Sequence, residues 1–234
     1  MSTCFVRHSR TPYSARYLVN GDPEVPVLLD DEGALCARRS RPLVREMGVR
    51  TCWTSSFPRT RQTADLLLEG NSCPRSVDAR LDEPDYGMFE GRPFLEYASW
   101  LREHGPTARP PGSRESQHEA LMRMLEGCAA LPAVAAPRMV VAHGFLLSAL
   151  SWCRSRRPQD ELPLFLPEAP YLEPLVVSDR CLLEWVEFLT GEARCGSGSS
   201  EGKGAPRISS EDHRTVLRLP RPVRTPLEDN EFDA

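Results

Sequence analysis

Met139-Val140-Val141-Ala142-His143-Gly144 is an unbroken apolar run that stops at a histidine and a glycine. Four apolar residues bounded by polar ones read as a buried strand, and Phe145 to Cys153 as the helix after it. The pattern recurs outward from there. Near the start of the chain Cys4-Phe5-Val6 is a second short apolar run, and it stops at Arg7-His8. From Glu32 to Met47 the apolar positions Leu35, Ala37, Leu43, Val44 and Met47 fit one helix, with Gly48 as its stop. Val49 to Thr54 alternates and is rich in β-formers, which predicts a strand, and Pro58 then opens a helix to about Leu68. Ser116 and Glu119 have capping-box spacing and mark another helix start, while Cys181 to Phe188 reads as a late strand. Strands alternating with helices predict an α/β layered fold. In such folds ligands bind beyond the carboxyl ends of the strands, and both Arg7-His8 and His143-Gly144 fall there.

Composition narrows the function. With 234 residues, 40 % of them hydrophobic and 26 % charged, the chain reads as a soluble globular protein with room for a sizeable core. No apolar run reaches the ~20 residues a membrane span needs. The opening MSTCFVRHSR places charges just after its few apolar residues, so it reads as no signal peptide. A formal charge of -4 carries no electrostatic footprint for nucleic acid. Eight cysteines lie far apart without CxxC spacing, which points to free thiols in a reducing cytoplasm rather than zinc or disulfides. Composition shifts near Gly191 to GEARCGSGSSEGKGAP, a Gly/Ser-rich connector. Beyond it His213 to Pro220 could form an edge strand, and the acidic LEDNEFDA reads as frayed. One domain over residues 1–190, followed by a connector and tail over 191–234, is the expected organisation.

Four pieces carry chemistry. Arg7-His8 is the first. The second, Ser55 to Ala64, places Arg59 in the first turn of a helix, where free backbone N–H groups and the helix dipole favour an anion. The third is the acidic loop Leu81 to Gly91, and the fourth is His143 leaving its apolar strand. Taken singly, each has a plain structural reading: a loop arginine, a solvated arginine, a solvated acidic turn, a hydrogen-bonded histidine. Taken together and in this order, they resemble the histidine phosphatase superfamily, also called the phosphoglycerate mutase-like family. Its pattern is an Arg-His-Gly-x-Thr strand end, Ser-x-x-x-Arg-x-x-Gln-Thr-Ala, Leu-x-Glu-x-x-x-Gly-x-x-Glu-Gly, and a valine-rich strand closing in His-Gly. Arg7, His8 and Thr11, then Ser55, Arg59, Gln62, Thr63 and Ala64 fall in register. So do Leu81, Glu83, Gly87, Glu90, Gly91, His143 and Gly144, and Glu115-Ser116 with Glu119 and Arg123 is similar to a Gly-Glu-Ser helix start of the family. The resemblance covers about residues 3–188. It implies a three-layer α/β/α sandwich on a mixed, mostly parallel central sheet, needing neither metal nor cofactor.

It also implies roles. His8 would be the nucleophile, because a neutral imidazole avoids the repulsion an anion meets at a phosphate monoester. One ring nitrogen must hold its proton toward a fixed acceptor, and the Ser9 carbonyl can supply it. Arg7 and Arg59 present planar forks to the phosphoryl oxygens, and His143, cationic beside the phosphate, adds a donor. Thr11, Ser14 and Gly144 complete the expected phosphate contacts, and Glu83 is the general acid and base. Ser9 replaces the family's glycine, Ser56 its proline and Thr60 its alanine, while Ser14 stands where many members carry asparagine. The short segment from Gly91 to Glu115 favours hydrolysis over the mutase reaction, whose enzymes carry a longer basic insert. Phe94, Tyr97 and Leu101 predict a cap helix packed on the core, with a pocket-lining role for Tyr97 and Trp100 as the alternative. The expected partner is a small-molecule phosphate ester or a phosphoprotein. A mutase and a catalytically degenerate phosphate-binding module stay open as alternatives.

Overall fold

Strand β1 (Ser2–Arg7) is an inner strand of a five-stranded sheet that it shares with β2 (Thr51–Thr54), β3 (Arg75–Val77), β4 (Arg138–Ala142) and β5 (Leu175–Ser178). The computed structural model describes residues 1–196 of the chain. The sheet order is β3-β2-β4-β1-β5. The first four are mutually parallel, whereas β5 runs antiparallel to β1 at the edge. The fold is therefore α/β with a mixed, mostly parallel sheet.

Because successive side chains of a strand point to opposite faces, β1 and β4 each feed two cores. Phe5, Val140 and Ala142 pack with Met124, Leu146, Leu150 and Leu182. These come from helices α5 (Gln117–Ala130), α6 (Gly144–Ser155) and α7 (Asp179–Gly196). Cys4, Val6, Met139 and Val141 face the other way, onto Val44, Ala64 and Leu67. Those belong to α2 (Arg41–Glu46) and α3 (Pro58–Leu67), with α1 (Asp31–Arg39) preceding them. Both faces are covered, which is why β4 reads as a continuous apolar run and is buried throughout. Helix α4 (Phe94–His104) stands over the carboxyl end of the sheet and buries Tyr97 and Leu101 against Val19, Tyr86 and Phe89. Its role is packing, as expected, although Phe94 stays 39 % exposed.

Three expectations change. The single helix over 32–47 is two, α1 and α2, because Pro42 has no N–H to continue the ladder and Ser40 Oγ bonds the Cys36 carbonyl at 3.1 Å. Cys181 to Phe188 is not a strand but part of α7: Leu182 and Leu189 are fully buried at helical spacing. The strand lies just before it, where Leu175 and Val177 alternate with exposed Val176 and Ser178. β3 carried no sequence signal, being three residues with both ends exposed. The helix α7 continues through Gly191 to Gly196, so residues 191–196 of the expected connector are helical. The remainder of that connector, the expected strand His213 to Pro220 and the acidic end lie outside the described residues. The capping box is present, with Ser116 Oγ accepting from the Glu119 N–H and the Ser116 N–H donating to Glu119.

Candidate active site

Parallel pairing aligns three strand ends. Arg7 of β1 is in register with Ala142 of β4, and Thr54 of β2 with Val141. His8, His143 and Ser55 therefore emerge side by side, and all three are nearly or fully buried. The rings of His8 and His143 meet edge-on, 5.3 Å between centroids. His8 Nδ1 lies 2.7 Å from the Ser9 carbonyl, to which it donates, so Nε2 is the ring nitrogen that carries the lone pair. The Ser9 carbonyl is itself fixed, because the Ser9 N–H donates to Thr63 Oγ1 at 3.1 Å and Ser9 Oγ to the Gly33 carbonyl at 2.8 Å. Ser9 keeps a negative φ, so serine fits where the family has glycine.

Two arginines converge on this histidine pair. Arg59, in the first turn of α3, donates its Nε–H to His8 Nε2 at 3.1 Å and its Nη2 to His143 Nδ1 at 3.2 Å. Asn20 anchors it through both its side-chain and backbone oxygens. Glu90 in turn grips Asn20 Nδ2 and the Gly21 N–H, each at 2.7 Å. The acidic loop thus acts through Asn20 to hold an arginine. Arg7 donates Nη1 to Glu168 at 2.7 Å and to the Ala169 carbonyl at 2.5 Å, under the Tyr171 ring at 4.1 Å. Its Nε is buried and bonds no protein atom. Gly144 lies against this guanidinium, and a Cβ there would stand in ordinary contact with it, 3.4 Å from Arg7 Nε. Arg138, at the opposite end of the sheet, is the useful contrast. Its donors are all taken by Thr3, Pro132, Val134 and Asp179, as a structural arginine's should be. Arg7, by contrast, keeps a buried donor, its Nε, beside the histidine pair.

His143 is held by a hydroxyl chain. Its Nε2 donates to Ser55 Oγ at 2.7 Å, Ser55 Oγ donates to Thr60 Oγ1 at 2.9 Å, and Thr60 donates to the Phe57 carbonyl. Thr60, an alanine in the family pattern, lengthens this chain. Glu83 Oε2 stands 3.2 Å from His143 Nδ1, and Glu83 Oε1 accepts from the Tyr86 hydroxyl at 3.2 Å. Arg123 of α5 fastens the Glu83 loop by donating to the carbonyls of Ala79, Arg80 and Asp82 while Glu115 holds its other edge.

Burial dominates the titration of this cluster. It raises the Glu83 carboxyl above its ordinary value, against the pull of Arg59 and Arg7. It lowers His8 well below its ordinary value, and Arg59 and Arg7 add to that. His143 is lowered in the same way, so without a bound anion it is held neutral; the expected cation belongs to the phosphate-bound state, since a buried imidazole beside Arg59 gains a positive charge only when a dianion joins it. Arg59 is itself pushed down by burial, to about 10, and stays charged at neutral pH.

Stability should record this. The unfolded chain protonates both histidines below about pH 6.5, and the folded chain does not, so their stabilising contribution is lost on acidification. Glu83 acts in the opposite sense, since its raised pKa makes the folded chain the better proton binder and costs stability as pH rises. A comparison isolates the histidine part. Between about pH 7.5 and about pH 5.5, His8→Ala should lose about 1 kcal/mol less stability than the unsubstituted protein, read from urea midpoints. Equal losses would mean that His8 is not held neutral.

Arg7, His8, Arg59, Glu83, His143 and Gly144 thus come together. Thr11 and Ser14 are bonded to each other, their hydroxyls 3.1 Å apart and Thr11 Oγ1 accepting the Ser14 N–H at 3.0 Å. Sequence reasoning missed Asn20, Glu168 and Tyr171, which lie in loops without periodicity. Among the described residues no group of His, Cys, Asp and Glu side chains could hold a metal ion, and no helix is long and apolar enough to cross a membrane.

Two histidines, two arginines and a buried carboxyl thus gather at the carboxyl ends of the parallel strands. The sequence profile of the histidine phosphatase superfamily (branch 1) matches residues 3–169, and the chain belongs to that superfamily. Its members are phosphatases or mutases. A protein of Klebsiella pneumoniae named "Probable phosphoglycerate mutase GpmB" is 34 % identical over 155 residues, 62 % of this chain and 70 % of that one. Bacillus stearothermophilus YhfR shares the fold with a TM-score of 0.62 at 19 % identity, over 76 % of this chain and 90 % of its own. A mycobacterial glucosyl-3-phosphoglycerate phosphatase does so with a TM-score of 0.55 at 24 %, over 64 % of this chain and 80 % of its own.

Proposed function

We propose that the protein is a metal-independent phosphomonoester hydrolase that works through a phosphohistidine on His8. One observation carries this reading: His8 Nδ1 is tied to the Ser9 carbonyl while Nε2 faces the Arg59 guanidinium, with Arg7 and Glu83 around it. In the first step His8 Nε2 bonds to phosphorus as the ester P–O bond breaks, and the Glu83 carboxyl protonates the leaving oxygen. Arg7 Nε and Arg59 hold the non-bridging oxygens, and the helix N-termini of α3 and α6 add backbone N–H groups. In the second step the Glu83 carboxylate takes a proton from water, whose oxygen bonds to phosphorus as the P–N bond breaks. His8 is regenerated and inorganic phosphate leaves. No step needs a metal, because fixed cations already balance the dianion.

The mutase reading has a specific support in the relative named as a phosphoglycerate mutase. Against it stands the short segment between Gly91 and Glu115, which consists of α4 and a brief loop back to α5. p-Nitrophenyl phosphate should be hydrolysed equally well with and without EDTA. Activity abolished by EDTA and restored by a divalent metal would overturn the reading. Conversion of 3-phosphoglycerate to its 2-isomer without phosphate release would replace hydrolase by mutase.

A further inference from the structure

The segment joining α6 to β5 places a carboxylate against the phosphate-binding arginine. We propose that Glu168 is a specificity residue that selects phosphate esters whose alcohol part is uncharged or cationic and rejects those carrying a carboxylate beside the phosphate; this rests on the phosphoryl-transfer reading of the site.

The position of Glu168 is built rather than incidental. The next residue, Ala169, is buried and held at both ends of its peptide: its N–H donates to Ser148 Oγ at 3.0 Å, and its carbonyl accepts from Arg7 Nη1 at 2.5 Å. Three residues on, the Leu172 N–H donates to the Arg7 carbonyl at 3.2 Å. Tyr171 lies flat on the Arg7 guanidinium and 6.3 Å from the His8 ring. The backbone around Glu168 is thereby clamped to the same strand end that carries the reacting histidine. Its carboxylate accepts from Arg7 Nη1 at 2.7 Å and is half-exposed at 51 %.

Two consequences follow. First, Nη1 is spent on Glu168 and the Ala169 carbonyl, so the phosphoryl group meets Arg7 along its Nε and Nη2 edge, where Nε has no protein partner. Second, the outer rim of the site carries negative charge. Arg7 and Arg59 are the site's fixed cations, and Glu168 bonds the Arg7 Nη1 while the Nε on the other side of that guanidinium has no protein partner. A ligand carboxylate placed near the phosphate would face Glu168 with no further cation bonded there to receive it. A hydroxyl or ammonium would instead find an acceptor. Like charge at this range near a surface changes affinity by about tenfold.

The test separates this proposal from the hydrolase reading by using binding alone. In a His8→Ala background, which removes turnover, titration calorimetry compares glycerol 3-phosphate with 3-phosphoglycerate, which differ only at the other end of the three-carbon chain, where one has a hydroxymethyl group and the other a carboxylate. The expected result is weaker binding of 3-phosphoglycerate by about tenfold or more, narrowed about tenfold by adding Glu168→Gln. Glu168→Asp, which keeps the charge, should preserve most of the gap. An unchanged ratio in Glu168→Gln, or tighter binding of 3-phosphoglycerate before substitution, would overturn it. Absence of turnover in the unsubstituted protein would defeat the hydrolase reading while leaving this ratio measurable. Should neither ester bind, the site would not be a phosphate site and both readings would fall.

Discussion

His8→Ala is expected to reduce hydrolysis of every phosphate ester to the background of the buffer while leaving oxyanion binding in place. The two outcomes separate because different groups carry them. In the proposed mechanism the attacking lone pair is that of His8 Nε2, whose direction is set by the Nδ1–H bond to the Ser9 carbonyl at 2.7 Å. The donors proposed to hold phosphate belong to Arg7 and Arg59, and neither depends on His8 for its anchor. Arg59 is fixed by Asn20, and Arg7 by Glu168 and the Ala169 carbonyl. Orthovanadate should therefore still bind the variant. In the unsubstituted protein, rapid quench with labelled substrate should trap phosphate on His8 as a phosphoramidate, labile to acid and stable to alkali. Peptide mapping that placed the label on Ser9 or Ser14, or full activity in His8→Ala, would refute the mechanism. Intact vanadate binding with neither label nor turnover for any ester would favour a phosphate-binding module instead.

The site was legible because its strands are parallel. Motif residues more than a hundred positions apart converge only if β1 and β4 end together, and their apolar runs said that they would. The second tier was only half visible. Glu90 and Thr63 matched the family pattern, yet what they do appears only in three dimensions, where one holds Asn20 and the other the Ser9 N–H. Asn20 and Glu168 escaped because a loop has no period to read, and their roles come from long-range contacts. α7 was misread for a different reason. CLLEWVEF is rich in residues that suit a strand, and only the burial of Leu182 and Leu189 on one face fixes it as a helix. The neutral state of His143 was hidden as well, since charge depends on burial that no motif encodes.

Glu83→Gln should slow release of poor alkoxide leaving groups by ~10²–10⁴-fold, the usual worth of a general acid, and the first turnover of activated aryl phosphates far less. The asymmetry follows from what glutamine keeps and loses. It preserves the size of the side chain and can still accept from the Tyr86 hydroxyl, so the loop tied down by Arg123 should stay in place. It cannot deliver a proton. Glu83 can, because burial raises its pKa and keeps the carboxyl protonated further toward neutral pH than an exposed glutamate. An alkoxide needs that proton, whereas a nitrophenolate leaves without it. The second half of the cycle does not share this exemption, since water must still be deprotonated to break the P–N bond. With p-nitrophenyl phosphate the variant should therefore give a burst of nitrophenol close to the enzyme concentration, followed by a slow steady rate. Labelled phosphohistidine should accumulate during that slow phase. The measurement is stopped-flow absorbance alongside quench labelling across a series of leaving groups. A first-turnover rate that falls equally for alkyl and aryl esters, or a steady phase without accumulated label, would remove Glu83 from both proton transfers.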